Sequence, residues 1–75
     1  MNTEMMQKLI AELVKADKNY EEAHDEWEKT ENQYIRADLL RKMNMQIGIR
    51  HGIHIAIEAM GYKLGMHNGE YVIYQ

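Results

Sequence analysis

The sequence predicts an α+β fold that is mainly α. A long antiparallel helical hairpin, with helices over about 4–29 and 31–60, is followed by a two-stranded β-hairpin over about 62–74, all within one domain of residues 1–75. Three observations predict it. From Met6 to Trp27 apolar residues recur at alternating intervals of three and four, which places them on one helix face. The stretch Ile47–Tyr62 repeats the helical spacing and stops at Gly61, a residue that takes the left-handed conformation of a helix end without steric cost. Beyond Gly61 the apolar period becomes two, around an Asn-Gly pair that is the strongest two-residue hairpin signal.

The first helix starts at a Thr3 cap, and its seam is Met6, Leu9, Leu13, Ala16, Tyr20, Ala23 and Trp27, widened by Ile10 and Val14. Charged residues, from Glu12 to Glu28, fill the other positions, as a helix with one wet face requires. Thr30-Glu31-Asn32-Gln33 fits a capping box, so the chain is expected to turn there and restart. The alternative is a rod-like helix from Glu4 to about Met45 that buries its seam in a dimer. Folding at the Thr30–Glu31 junction favours the hairpin, because it sets Trp27 against Tyr34 and places Leu13 and Leu9 over Gly48 and Gly52. Glycine inside a helix costs about 1 kcal/mol relative to alanine, and close packing under two leucines would offset that cost. The second helix then buries Tyr34, Ala37, Leu40 and Ile47 against the first. In the β-hairpin Met66 pairs with Tyr71 and Leu64 with Ile73. Tyr62, Leu64, Met66, Tyr71 and Ile73 share a face directed at Ile49, Ile53, Ile57 and Met60, with Met6 and Ile10. A lone hairpin is not stable in water, so it must rest on the helices.

Composition narrows the function. The chain has no Cys, no Pro and a formal net charge of −3, so neither disulfides nor thiolate metal sites staple it. No apolar run approaches the roughly 20 residues of a membrane span. The N-terminus lacks a basic region followed by an apolar core, and a cytoplasmic location without membrane attachment is expected. There is no Ser, both Thr residues fall at predicted caps, and no glycine-rich phosphate loop is present. The expectation is a protein that is not an enzyme and holds no cofactor.

Three constellations are candidates for function. His51, His54 and Glu58 share an arc of the second helix, a spacing suited to a divalent metal; solvated helix faces carry His and Glu commonly, and that plainer reading is preferred. Arg36, Arg41, Lys42 and Arg50 make the second half basic, with three acids and five bases over residues 32–75 against nine acids and four bases over 1–31. Nucleic-acid binding is the alternative function read from them, set below simple pairing of an acidic with a basic helix. Ile35, Leu39 and Met43 follow at intervals of four and stand off the expected seam, as does Ile55. An uncovered apolar stripe implies a protein interface. A homodimer joined through the second helix is expected, in a small protein–protein interaction module that regulates or inhibits an unidentified protein partner. Trp27 and Tyr34 are read as an aromatic clasp closing the turn, or else as anchors for that partner.

KTENQYIRADLL followed by GIRHGIHIAIEAMGYKL resembles a pattern recurrent in small uncharacterised proteins of bacteria and their phages: a long helix, a short polar turn, a second helix ending in a Gly-Tyr step, and a short hairpin. The resemblance covers most of the chain. It implies an accessory protein of a phage or mobile element, of the kind that binds and blocks a host protein.

Overall fold

In the computed structural model, which describes residues 2–75, helix α1 spans Thr3–Lys29 and helix α2 spans Gln33–Ala59. Strands β1, Lys63–His67, and β2, Glu70–Tyr74, form a two-stranded antiparallel sheet. The helices lie antiparallel in one layer, and the chain measures 45 × 24 × 17 Å. The long rod is excluded. The hairpin turns where expected, but with different caps. Asn2, not Thr3, caps α1 by accepting from the Met5 amide. Thr30 closes α1, its amide donating to the Glu26 carbonyl and its hydroxyl accepting from Asn32 at 3.3 Å. Asn32 then caps α2, its side chain accepting from the amides of Tyr34 and Ile35 at 2.9 and 3.1 Å. A short amide side chain reaches two free amides of the first turn at once, and it displaces the capping box expected from Thr30.

The seam of α1 is the expected one. Leu13, Ala16 and Ala23 are buried, and Met6, Leu9, Tyr20 and Trp27 are half-buried. The seam of α2 is not. The residues that face α1 are Arg36, Leu39, Met43, Gln46, Arg50, Ile53 and Ile57, themselves spaced alternately three and four. Tyr34, Leu40 and Ile47 are exposed, Tyr34 to 88 %, and Ala37 is exposed too. The inward face of α2 is turned about a third of a turn from the expected one. Three non-helical residues, Thr30–Asn32, break the phase of the repeat, so a seam extrapolated across them from α1 lands on the wrong side. Ala23, Leu39 and Met43 form the core cluster, with Tyr20 and Trp27 packed on it. Leu39 and Met43 are therefore core residues of the monomer, which corrects their assignment to an uncovered stripe.

The glycine prediction fails for the same reason. A Cβ at Gly48 or Gly52 would meet nothing within 4 Å, so neither lies beneath Leu9 or Leu13. Gly61 does what was expected: at φ +85° it ends α2, with Gly61 and Tyr62 amides donating to the carbonyls of Glu58 and Ile57, the paired bonds of a Schellman end.

Asn68 and Gly69 have φ of 52° and 80°, the double positive φ of a type I′ turn. The register pairs Met66 with Tyr71 and Leu64 with Ile73, as predicted. β1 lies over α2 and β2 over α1. Tyr62, Leu64, Tyr71 and Ile73 are half-buried, whereas Met66 at the turn is exposed. Of the helical target, Ile57 is fully buried and Ile53 half-buried, but Ile49 and Met60 are exposed. On the outer face the Tyr74 ring covers Gly65, 3.1 Å from where a Cβ would stand, so a side chain there would have to push the ring aside.

Candidate interaction surface

Several of the charged side chains are tied to one another inside the chain. Asp17 joins three elements: one carboxylate oxygen accepts from Arg50 Nε of α2 at 2.7 Å, and the other accepts from the Tyr71 hydroxyl of β2. This knot pins the β-hairpin to both helices. Partial burial, and next the bond to Asp17, hold the Tyr71 phenol above its ordinary ionisation range near 10.0, with the Arg50 charge acting in the opposite sense. Sequence reading missed the knot, because Asp17 sits among charged helix positions and nothing local marks it.

The four basic candidates do not make a patch. Arg50 is held by Asp17, Arg41 donates to Asp38 at 2.8 Å, and the Arg36 guanidinium lies 3.9 Å over the Trp27 ring. Helical geometry sends Arg41 and Arg50 to opposite sides of α2. Arg36 also takes the place expected for Tyr34. The column at the turn is Tyr20, His24, Trp27 and Arg36, its rings stacked with centroids 6.2 and 6.1 Å apart. A planar cation over an aromatic face is a favourable partner, and Arg36 lies on the inward seam while Tyr34 does not. The indole Nε1 of Trp27 is buried without a hydrogen-bond partner among the described residues.

The histidine candidates part in the same way. His54 Nε2 is 2.7 Å from Glu58 Oε1, one turn along the helix. His51 is not part of that pair, and among the described residues no three His, Cys, Asp or Glu side chains gather to hold a metal. The metal centre at His51, His54 and Glu58 is thus not assembled, since their common arc on the helix does not bring their ligand atoms to one point.

Apolar surface is what remains. Ile35 and Ile55 are exposed to 49 and 54 %, as expected, and they are joined on α2 by Tyr34, Leu40, Met45, Ile47 and Ile49. On the side of the helical layer away from the β-hairpin, two shallow troughs of about 300 and 190 Å³ run along the joint of α1 and α2. Both are lined by Asn19 and Gln46, so they form one continuous channel. Gln46 is the buried polar residue of the seam, 8 % exposed, and its amide makes no hydrogen bond among the described residues. Its signal was present in the sequence: it is the lone amide in the 39–43–46–50–53–57 repeat, visible once that phase is chosen. On the opposite side, Ile10, Val14, Met66 and Tyr71 line a wider groove of about 650 Å³ between α1 and the hairpin turn. No helix among the described residues is long and apolar enough to cross a membrane.

Compared with protein-family models, with curated proteins and with solved structures, the chain matches none.

Proposed function

We infer that this chain is a small cytoplasmic protein–protein interaction module, self-associating, that acts by docking on a partner protein and regulating or inhibiting it. One observation carries the reading: α2 exposes seven large apolar side chains, while the described residues bury only six apolar ones. A helix apolar on nearly every side belongs inside a larger assembly, and apolar surface on this scale is characteristic of interaction sites. No catalytic step is part of the proposal. The resemblance to accessory proteins of phages and mobile elements suits a blocking role toward a host protein, and it enters here as part of the same proposal.

The test has two arms. Sedimentation velocity across a wide concentration range is expected to show a reversible increase in mass. Cross-linking capture in bacterial lysate is expected to retain a specific protein that is lost when Leu40 and Ile47, both exposed, are changed to Glu. A chain that stays monomeric and captures nothing that depends on these residues would refute the reading.

A further inference from the structure

We propose that the channel between α1 and α2, on the side away from the β-hairpin, receives a second copy of this chain, so that two helical layers meet back to back as a four-helix bundle with Gln46 at its two-fold axis. The proposal rests on the self-association inferred above and names its surface.

Gln46 supplies the first argument. It is more than nine-tenths buried, it has no hydrogen-bond partner of its own, and it lines both troughs of the channel. Among the described residues the sealed, unpaired side-chain atom is Trp27 Nε1, so the Gln46 amide opens onto the channel, where a partner can bond it. A primary amide both donates and accepts, so two copies brought together about an axis satisfy each other.

Charge chooses the second copy as occupant, and its orientation. The α1 wall of the channel presents Glu12, Glu22 and Glu26, with Lys15 as its base; the α2 wall presents Met45, Ile49 and Lys42. Among the described residues Lys42 has no carboxylate within ion-pair distance. A two-fold axis parallel to the helices lays the acidic wall of each copy on the apolar, basic wall of the other. Glu22 and Lys42 line the same trough, so they stand at one level, and rotation about that axis keeps the level and brings Glu22 of one copy to Lys42 of the next. An axis across the helices would instead set Glu12 against Glu26 and repel. Neighbouring helices in the favoured arrangement all run antiparallel, the usual order of such bundles.

The area is sufficient. A layer of two helices about 40 Å long and about 10 Å apart offers roughly 800 Å², the share each partner contributes to a stable interface of ordinary size. The exposed Met45 and Ile49, 57 and 39 % accessible, supply the apolar centre.

The experiment uses the intact chain, which has no Cys, so single cysteines report proximity. Gln46→Cys, or Asn19→Cys should the first not fold, is expected to give a disulfide-linked dimer under mild oxidation, while Tyr34→Cys, fully outside the channel, stays uncoupled. In sedimentation, Met45→Glu is expected to raise the dimer dissociation constant about tenfold or more with helicity unchanged. Glu22→Lys and Lys42→Glu each weaken the dimer, and the two together restore it. A wild-type chain that is monomeric at high micromolar concentration overturns both this proposal and self-association. A wild-type dimer that is linked through Tyr34→Cys and not through the channel overturns this surface alone.

Discussion

Helices α1 and α2 are each 27 residues long and lie against each other along their length, but they divide apolar from polar residues differently. On α1 one stripe is apolar and the rest is charged. Of its large apolar residues only Met5 and Val14 are exposed. On α2 apolar residues occur on every side, and seven large ones reach solvent. A helix of the first kind has one way to pack. A helix of the second kind is rotated into place by what it meets, because several of its faces would bury similar area. Its choice here follows the turn: Asn32 caps the helix and sets where its first residues point, and Arg36 and Leu39 then come to face Trp27 and Ala23.

The sharpest way to break this contrast is at adjacent leucines. Leu39 is 3 % and Leu40 45 % exposed. Leu39→Ala is expected to cost about 2–5 kcal/mol, the range for a truncated core leucine, which in so small a domain consumes much of its stability. Leu40→Ala should stay within about 0.5 kcal/mol. Urea denaturation of the pair decides it; equal effects would mean that the inward face of α2 is misassigned. The glycines come next. Since a Cβ at Gly48 or Gly52 meets open space, each Gly→Ala change should stabilise the chain by about 0.5–1 kcal/mol, seen as a higher melting temperature. Destabilisation would restore the close leucine contact first read from the sequence.

That sequence reading was sound for the α1 seam and the turns, although it took Thr3 and Thr30 for the caps that Asn2 and Asn32 supply. The α1 seam, the Gly61 stop and the Asn68-Gly69 register each rest on a spacing or on a positive φ that few residues tolerate, and all three stand in the structure. It failed where the outcome depends on rotation. With apolar residues on every side of α2, periodicity selects no phase, and extending the phase of α1 across Thr30–Asn32 moved Leu39 and Met43 out of the core. The Asp17–Arg50–Tyr71 knot was illegible for a related reason: it joins residues on three elements, and their meeting depends on the same rotation.

Two smaller tests address that knot. Asp17→Ala removes the acceptor shared by both helices and the hairpin. Both ion-pair side chains are partly exposed, Arg50 to 45 % and Asp17 to 33 %, so solvent screening limits the loss to about 1 kcal/mol. Chemical denaturation should show it, with the helices intact. The smallest expected effect is on pH dependence. Tyr71 holds its proton more tightly folded than unfolded, so its contribution is complete below its ordinary value of 10.0 and is lost as pH rises through the higher folded value. Stability should therefore fall on the alkaline side above about pH 10, and Tyr71→Phe should flatten that limb. An unchanged alkaline limb would show that Tyr71 titrates alike in both states.

The bond between Tyr71 and Asp17 spans 54 positions of the chain, whereas each of the two hairpins starts from a short connection. The helices are joined by three residues and the strands by two. Loop closure of that kind is fast, and rates fall as contacts become more distant in sequence. With no Pro in the chain, slow prolyl isomerisation is absent as well. The topology is thus expected to form through two quick local closures and a later docking of the β-hairpin on the helices. Contacts made in that last step govern how quickly the native chain opens and have little influence on how quickly it forms. In stopped-flow kinetics, Tyr71→Phe should speed unfolding while leaving refolding almost untouched; a slowed refolding limb would place the docking step earlier.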